Sequence, residues 1–326
     1  MKKRVIVFHR KLPAPELARL EAECAVTHFE QVNQANRTEF IAAIHQAHGM
    51  IGASVKLDDT MFAGATDLEA IATISVGYDN YDVAGLTRRG IVLTNTPDVL
   101  TESTADTIFS LVLATARRIV ELAEFVKAGR WQRSIGEAQF GTDVHGKTLG
   151  ILGLGRIGSA VARRGHLGFG MPILYHNRSR NLETEAQCAA RYCSREELLR
   201  ESDFICVVLP LTAETENSIG AAEFAQMKPG AFFINGSRGK IVDEPALIEA
   251  LEKEQIRGAG LDVFVREPLP ADSPLLRFPN VVALPHIGSA THETRYAMAQ
   301  CAVTNLLDAL AGRRPPDAVN PEARAW

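Results

Sequence analysis

Short apolar runs alternate with amphipathic, helix-like stretches along most of the chain, a pattern typical of parallel strands joined by helices. In the first hundred residues the apolar runs are VIVFH, GMIGAS, AIATISVGYD and IVLTNTP, and Pro15–Glu23 and Thr38–Ala47 are predicted helices. After residue 147 a second series reads TLGILGLG, MPILYH, DFICVVLP, AFFINGSRG, GAGLDVF and NVVALPH. The pattern therefore predicts an α/β fold built from two doubly wound parallel sheets.

The rhythm changes between the two series. A helical pattern begins at Thr101 and continues through TESTADTIFSLVLATARRIVELAEFVKAGRW, with Thr101 suited to its start and Gly129 to its end. Its apolar residues cover more than one stripe, which indicates burial against a partner as well as against its own domain. A last helix is predicted over Glu293–Leu310, followed by a proline-rich tail. We place the domain boundaries at 98/99 and 286/287.

Composition narrows the class of protein. A chain of 326 residues suits two domains of ordinary size. Its 46% hydrophobic and 23% charged residues are typical of a soluble globular protein, and a net charge of −4 offers no general attraction to nucleic acid or anionic membranes. The N-terminal apolar run is only Val5–Phe8, far short of a signal-peptide core or a membrane span. We expect a cytoplasmic protein.

The five cysteines form no C-x-x-C pair, and one of them, Cys206, lies within an apolar run. An odd count without metal-ligand spacing favours reduced thiols. The histidines likewise show no spacing of metal ligands. The sequence therefore predicts neither a disulfide framework nor a metal site.

A glycine motif follows the first strand of the second series. TLGILGLGRIGSAVARR places Gly153, Gly155 and Gly158 between an apolar strand and a helix rich in small residues. In a dinucleotide site these glycines permit the tight turn, the approach of the pyrophosphate and close helix packing, while the helix N-terminus attracts the phosphates. The alternative is a glycine turn that binds nothing. The strand before and the helix after favour the dinucleotide.

The end of the next strand predicts which dinucleotide is bound. Nineteen residues after Gly158, where a carboxylate would bond the ribose 2′-hydroxyl, the sequence has Asn177, followed by Arg178 and Ser179. Asn177 removes the repulsion of a 2′-phosphate, Arg178 offers a guanidinium fork, and Ser179 adds a hydroxyl. A polar surface loop without a cofactor role is the alternative. We predict that NADP(H) is preferred and that NAD(H) remains possible.

Charged residues follow three later strands. Arg238 follows FFINGS, Asp262 and Glu267 belong to GLDVFVREP, and His286 follows ALP. Taken singly, Arg238 could serve in a surface ion pair, Glu267 in a turn and His286 as a cap or core residue. Together they lie where ligands bind in open α/β sheets, beyond the carboxyl ends of the strands.

With these motifs in view, essentially the whole chain resembles the D-isomer-specific 2-hydroxyacid dehydrogenase family. The resemblance rests on SVGYDNYDV, TADTIFSLVLATARR, KTLGILGLGRIG, FFINGSRGKIVDE, REPL and LPHIGSATHETR. Within the family, GTDVHGKTLGI, MPILYHNR and PHIGSATHETRYAMA are most similar to bacterial reductases of glyoxylate, hydroxypyruvate and 2-ketogluconate. The resemblance implies an NADPH-dependent reductase that converts these 2-keto acids to glycolate, D-glycerate and D-gluconate.

The resemblance also implies roles for residues. Residues 1–98 with 287–326 would bind the substrate, residues 99–286 would form the NAD(P)-binding Rossmann domain, and the active-site cleft would lie between them. Arg238 would bind the carboxylate and carbonyl oxygen of the 2-keto acid, His286 would protonate that oxygen, and Glu267 would hydrogen-bond His286. Substrate would also meet the backbone N–H groups of Val76 and Gly77. The residues implied at the cofactor are Gly153, Leu154, Gly155, Arg156, Ile157, Gly158, Asn177, Arg178, Ser179, Pro210, Thr215, Gly236, Ser237, Asp262 and Gly288.

General chemistry agrees with these roles. Hydride addition to a ketone builds negative charge on oxygen, so a proton donor and a fixed cation lower the barrier. A carboxylate beside His286 stabilises the imidazolium form, and Arg238 can bind a planar carboxylate through two hydrogen bonds. The implied partner is a second copy of the chain, bound through the helix from Thr101 and the loop around Trp131 and Phe140. Alternatively, Trp131 packs under its own domain.

Two other kinds of function stay open at this point. One is an NAD-linked D-2-hydroxyacid or 3-phosphoglycerate dehydrogenase, which the missing ribose carboxylate disfavours. The other is a nucleotide-sensing binding protein like the corepressor relatives of the family, which keep the same arginine, glutamate and histidine. The similarity of this chain to metabolic reductases argues against the second.

Overall fold

The structure, a computed structural model, describes residues 2–9, 11–53 and 55–326 and divides the chain into two compact units. The first unit comprises the residues up to Leu100 together with Thr291–Trp326, and the second comprises Thr101–Ala290. These divisions lie two and four residues after the boundaries placed from the sequence. Each unit has its own parallel sheet, so the predicted α/β class with two doubly wound sheets is confirmed.

The sheet of the first unit has five parallel strands in the order β2-β1-β3-β4-β5. The strands are β1 Lys3–Phe8, β2 Cys24–His28, β3 Gly49–Gly52, β4 Ala70–Thr73 and β5 Val92–Thr94. Strand β2 was not predicted, because it lies at the sheet edge and most of its residues are at least partly exposed, so no apolar run marks it. Ser54, the last residue of the predicted run GMIGAS, lies outside the described residues.

Four helices cover this sheet: α1 Ala14–Glu23, α2 Arg37–Ile44, α3 Val83–Arg88 and α11 His292–Leu310. Helix α11 packs against β3, β4 and β5 although it comes from the end of the chain. The tail after it pairs with the free edge of β5, where the N–H of Val319 donates to the carbonyl of Leu93 at 2.8 Å. The buried amide of Asn320 accepts the Leu93 N–H at 2.7 Å. The tail thereby covers a strand edge that would otherwise be unpaired.

The sheet of the second unit has seven parallel strands in the order β12-β11-β10-β9-β6-β7-β8. The strands are β6 Leu149–Leu152, β7 Ile173–His176, β8 Arg191–Tyr192, β9 Phe204–Val207, β10 Phe232–Asn235, β11 Gly258–Leu261 and β12 Val281–Ala283. The chain runs outward from β6 in both directions, so the topological switch point lies between β6 and β9. A doubly wound sheet binds its ligands at this point.

Helices pack on both faces of this larger sheet. The helices of this unit are α4 Thr101–Ala116, α5 Ile119–Lys127, α6 Arg156–Arg163, α7 Leu182–Cys188, α8 Arg195–Glu201, α9 Ala221–Phe224 and α10 Glu244–Glu252, and α5 contacts α4 rather than the sheet. Alternate side chains of each strand enter opposite cores: Phe232 and Ile234 pack with the α4 and α6 side, whereas Phe233 packs with the α8 and α10 side. Within the described ranges, no helix is long and apolar enough to span a membrane.

The prediction of one continuous helix from Thr101 to Gly129 is wrong. The helix begins at Thr101 but breaks after Ala116, because Arg118 adopts a left-handed conformation with φ +56°. The Arg118 guanidinium binds Glu121 and the carbonyl of Ala138, at 2.6 Å in each case, which stabilises the break. Helix α5 then ends at Lys127, and Gly129 follows with φ +68°, so the predicted end is confirmed.

Candidate active site and cofactor loop

The glycine loop after β6 has two glycines that the fold itself requires. Gly153 has φ +101°, and a Cβ there would lie 2.6 Å from the Val208 carbonyl oxygen. A Cβ on Gly158 would lie 2.2 Å from the carbonyl oxygen of Gly153. By contrast, a Cβ on Gly155 would meet nothing within 4 Å. The packing of the unit therefore explains Gly153 and Gly158, whereas Gly155 borders open space.

That open space lies at the N-terminus of α6. Gly155 is the residue before the helix and makes no side-chain cap to its first N–H groups. Gly155 and Arg156 are exposed, Ile157 is half-buried, and Leu154 is buried. The N–H groups at a helix start, beside a position that needs no side chain, fit the pyrophosphate of a dinucleotide.

Asn177, at the end of β7, binds the glycine loop. Its Oδ1 accepts the N–H of Leu154 at 2.7 Å, and its Nδ2 donates to the carbonyl of Leu154 at 3.3 Å. The hydroxyl of Tyr192 donates to the Asn177 carbonyl at 3.1 Å. Asn177 therefore leaves the loop without a carboxylate, as its sequence position indicated, and also ties β7 to the glycine loop.

The tip of the following loop presents Arg178 and Ser179, both exposed. Among the described residues, Arg178 has no hydrogen-bond or ion-pair partner. Arg180 differs, because its guanidinium binds both carboxylate oxygens of Glu185. Tyr175 also donates to Glu185, at 2.5 Å, and the two partners lower the pKa of this carboxyl to about 2. Arg178 is therefore the arginine of this loop that is available to an anion.

The strand-end loops after β9 and β10 hold four more of the predicted cofactor residues, Pro210, Thr215, Gly236 and Ser237. Thr215 closes its loop by donating to the Pro210 carbonyl at 2.7 Å. The Ser237 hydroxyl donates to the carbonyl of Leu209, which joins the two loops. A Cβ on Gly236 would lie 2.3 Å from Cγ1 of Ile108 in α4, so only glycine fits there. These contacts show how the loops are shaped.

Asn235 holds the turn that carries Arg238, and the sequence analysis missed it. Its Oδ1 accepts the Ser237 N–H at 3.1 Å, and its Nδ2 donates to the Arg238 carbonyl at 3.0 Å. Asn235 is buried, and Arg238 is half-buried. An asparagine that ends an apolar strand before Gly-Ser is a turn signal that the sequence did contain.

His286 and Glu267 are in direct contact. His286 Nδ1 lies 2.8 Å from Oε2 of Glu267, and Oε1 of Glu267 accepts the Phe264 N–H at 3.1 Å. The His286 side chain is 48% exposed, and its Nε2 has no hydrogen-bond partner in the described part of the chain. His286 has φ +54°, a left-handed conformation uncommon outside glycine. One ring nitrogen is therefore bound to the carboxylate and the other is accessible.

The electrostatics of this pair favour a charged glutamate. Burial acts to raise the pKa of Glu267, but the hydrogen bonds from His286 and the Phe264 N–H outweigh it. The charges of His286 and Arg238 also lower the pKa of Glu267, which therefore lies below its ordinary value. A carboxylate that stays ionised stabilises a protonated imidazole beside it.

Asp262 supports the loop that carries His286. Its buried carboxylate accepts the N–H of Ile287 at 2.7 Å and of Gly288 at 2.8 Å. Burial raises the pKa of Asp262, although both N–H bonds oppose the shift. Its observed contacts are thus with the backbone directly after the histidine.

Val76 and Gly77, in the first unit, lie in the loop after β4. The carbonyl of Val76 accepts from Asn95 Nδ2 at 2.9 Å, and that of Gly77 accepts from the Ser75 hydroxyl at 2.5 Å. Their backbone N–H groups find no acceptor among residues 2–9, 11–53 and 55–326. The loop is therefore held by its carbonyls, with two adjacent N–H groups left for a ligand.

The cysteines offer no nucleophile. All five are free thiols, and four of them are buried. Burial raises the pKa of Cys206, in β9, to about 12, so this sulfur stays protonated.

In the described ranges, no group of three or more histidine, cysteine, aspartate or glutamate side chains could hold a metal ion.

Comparisons with known proteins bear on the whole chain. Residues 109–288 match the family model for the NAD-binding domain of D-isomer-specific 2-hydroxyacid dehydrogenases. The chain is 55% identical over 317 residues to a glyoxylate/hydroxypyruvate reductase B of Escherichia fergusonii, covering 97% of this chain and 98% of the relative. A protein of the same name from Klebsiella pneumoniae is 53% identical over 319 residues, covering 98% and 99%.

A solved structure gives a further match. The NADPH-dependent glyoxylate/hydroxypyruvate reductase of Sinorhizobium meliloti, in complex with NADP and malonate, aligns over 100% of both chains. The TM-score is 0.87 at 34% sequence identity. The two-sheet architecture is therefore found in a protein solved with a dinucleotide and a small dicarboxylate.

Proposed function

This chain belongs to the D-isomer-specific 2-hydroxyacid dehydrogenase family of oxidoreductases, and we propose that it reduces small 2-keto acids with NADPH. The proposed substrates are glyoxylate, hydroxypyruvate and 2-ketogluconate, and the products are glycolate, D-glycerate and D-gluconate. The observation that carries the chemistry is the 2.8 Å contact between His286 and Glu267. The names of the relatives from Escherichia fergusonii and Klebsiella pneumoniae support the first two substrates.

In this proposal His286 is the acid. Glu267 accepts the Nδ1 proton, so the accessible Nε2 carries the proton that the imidazolium donates to the carbonyl oxygen. Bound NADPH supplies the hydride to the carbonyl carbon. Because the side chain is 48% exposed, His286 can regain its proton from solvent after each turnover.

Arg238 and two backbone N–H groups bind the substrate carboxylate in the proposed scheme. Arg238 offers the fork of donors that suits a planar carboxylate, and Asn235 fixes the turn from which it extends. The unpaired N–H groups of Val76 and Gly77 would bind the carboxylate from the first unit. Holding the carboxylate orients the carbonyl carbon for the hydride, and this orientation lowers the barrier by restricting the geometry of attack.

The second unit is the proposed NADP(H) site. Gly155 and the start of α6 would hold the pyrophosphate. Arg178 with Ser179 would hold the 2′-phosphate, because residues 177–181 include no carboxylate to repel it. The solved Sinorhizobium meliloti relative, with NADP bound, supports this choice, and NAD(H) remains a weaker alternative cofactor. The further residues proposed to line the site are Pro210, Thr215, Gly236, Ser237, Asp262 and Gly288.

The proposed partner is a second copy of the chain. Helix α5 has no buried residue, and it exposes Ile119, Val120 and Val126. The loop after it exposes Trp131 and Phe140, at 61% and 54%. Large apolar side chains left exposed in numbers, as on this helix and its following loop, are typical of interaction surfaces. The exposed apolar surface therefore lies on α5 and the Trp131 loop, whereas α4 is half-buried within its own unit.

The function is tested by following NADPH oxidation with glyoxylate, hydroxypyruvate and 2-ketogluconate in turn, for the wild-type chain and for His286→Ala. We expect turnover with at least the first two substrates, and a loss of about 100-fold or more in His286→Ala with NADPH binding retained. Chiral analysis of the hydroxypyruvate product should show D-glycerate. Equal rates for the two proteins, or turnover of none of the three acids, would refute the proposal.

A further inference from the structure

We propose that Asn181 is a cofactor-positioning residue that fixes the glycine loop and the Arg178–Ser179 tip relative to each other. The proposal rests on the proposed NADP(H) site and assigns a role to a residue outside the motifs singled out in the sequence. It concerns the five residues 177–181, here called the phosphate loop, and their attachment to Leu154.

Both ends of the phosphate loop bind the same residue. Asn177 accepts the N–H of Leu154 at 2.7 Å and donates to its carbonyl at 3.3 Å. Asn181, four residues later, donates from Nδ2 to the same carbonyl at 3.0 Å. The tip between them, with Arg178 and Ser179, projects from a loop that is closed at its base by Leu154.

The Asn181 side chain is itself held in place. Its Oδ1 caps α7 by accepting the N–H of Thr184 at 3.1 Å, and its Nδ2 also donates to the Ser159 hydroxyl at 3.2 Å. Its backbone N–H donates to the hydroxyl of the buried Tyr175 at 2.8 Å. One amide thus joins the start of α7, helix α6 and the glycine loop.

The bond to Leu154 determines the direction of a neighbouring donor. Because the peptide group is planar, the carbonyl of Leu154 and the N–H of Gly155 point in opposite directions. Fixing that carbonyl through Asn177 and Asn181 therefore fixes the Gly155 N–H. In the part of the chain that the structure describes, this N–H has no acceptor, and a Cβ on Gly155 would meet only open space.

Two phosphate-binding elements are consequently tied together at one peptide. The Gly155 N–H faces away from the asparagine pair toward the pyrophosphate position, and Arg178 extends from the loop that the pair closes. Glycines on both sides of Leu154 leave the glycine loop with little stiffness of its own. The asparagine amides supply the constraint that the backbone lacks.

Asn181→Ser is the direct test, because serine is also a favoured cap for α7 but is too short to reach the Leu154 carbonyl. Binding of NADPH and NADH is measured by cofactor fluorescence, without any substrate. We expect Asn181→Ser to weaken NADPH binding by about tenfold and NADH binding by about threefold. The larger loss for NADPH arises because only NADPH has the 2′-phosphate, whose charge-assisted contact with Arg178 is then misplaced. Asn181→Asp, which keeps the cap but turns an acceptor toward the carbonyl, should weaken NADPH binding at least as much.

Two further variants separate positioning from general stability. Ser194→Ala removes the corresponding cap of α8, where Ser194 accepts the Glu197 N–H at 3.1 Å, and should leave both affinities within about twofold. In an Arg178→Ala background, Asn181→Ser should cost the same factor for NADPH as for NADH, because the contact it positions is gone.

The outcomes are distinct. If Asn181→Ser and Asn181→Asp bind NADPH like the wild type, or if the loss on NADPH is unchanged in the Arg178→Ala background, Asn181 does not position Arg178 and the inference is overturned. If Arg178→Ala alone leaves NADPH affinity unchanged, the proposed NADP(H) site itself fails.

Discussion

Glu267 bridges His286 and its own turn: Oε2 lies 2.8 Å from His286 Nδ1, while Oε1 accepts the Phe264 N–H at 3.1 Å. The carboxylate is therefore fixed by the backbone before it meets the imidazole. This arrangement holds the ring in one orientation and leaves Nε2 as the nitrogen that can reach a substrate. The acid in the proposed reaction is thus the pair, with Glu267 supplying position and charge.

Replacing Glu267 with glutamine tests whether its charge is needed as well as its position. Glutamine keeps the size of the side chain but loses the charge that stabilises the imidazolium, so we expect kcat for reduction to fall by about 100-fold. NADPH affinity serves as the control and should stay within about twofold of wild type. A kcat equal to that of the wild type would argue against an ionised Glu267 partner.

Glu185 should contribute to acid sensitivity. Its hydrogen bonds from Arg180 and Tyr175 lower its pKa from 4.5 to about 2. Because the folded-state pKa is depressed, the stabilising contribution is present above pH 4.5 and is lost as the pH falls toward 2. The difference in unfolding free energy between wild type and Glu185→Gln should therefore shrink across this range in urea titrations. A difference that is constant with pH would show that the ionised carboxylate contributes nothing.

The three glycines of the loop should separate into two classes when changed to alanine. Gly153→Ala and Gly158→Ala place a Cβ 2.6 Å and 2.2 Å from backbone oxygens, and should destabilise the chain by about 1–3 kcal/mol or more. Gly155→Ala has free space and should keep its melting temperature, yet lose NADPH affinity by about tenfold because the methyl group occupies the pyrophosphate position. Melting curves and cofactor titrations measure both. If Gly155→Ala bound NADPH as tightly as the wild type, the pyrophosphate would not bind at this position.

The exposed surface of α5 should determine the oligomeric state. Val126→Glu places a charge among side chains that we propose to be covered by a second copy, and should convert dimers to monomers in light scattering. Leu276→Glu is the matched control, since Leu276 is similarly exposed, 51% against 52% for Val126, but lies outside this surface. Dissociation by both variants, or by neither, would show that α5 is not the interface.

The sequence predicted those parts of the molecule that depend on local pattern. One glycine motif predicted the strand before Gly153, the helix after it, and the need for glycine at positions 153 and 158. The structure confirms all of these, since a Cβ at either position would clash with a backbone oxygen. The family resemblance and the two parallel sheets are confirmed as well. The contact between Glu267 and His286, which the resemblance implied, is present at 2.8 Å. Their catalytic roles remain predictions.

Features that depend on distant contacts were not predictable in the same way. The break at Arg118 arises because segment 137–142 binds the end of α4, with the Thr142 N–H on the Ala116 carbonyl at 2.8 Å. No local pattern shows that bond. Likewise, the amides of Asn177 and Asn181 meet at Leu154, more than twenty residues earlier, only once β6 and β7 are paired. Sequence position alone presented Asn177 as a missing acid.

We propose that this chain is an NADPH-linked reductase whose contact to the 2′-phosphate is Arg178. The most direct measurement is kcat/KM for hydroxypyruvate reduction with NADPH and with NADH, in the wild type and in Arg178→Ala. We expect NADPH to be preferred by about tenfold or more in the wild type, and Arg178→Ala to remove most of this preference without lowering the efficiency with NADH. Equal or better efficiency with NADH in the wild type would contradict it.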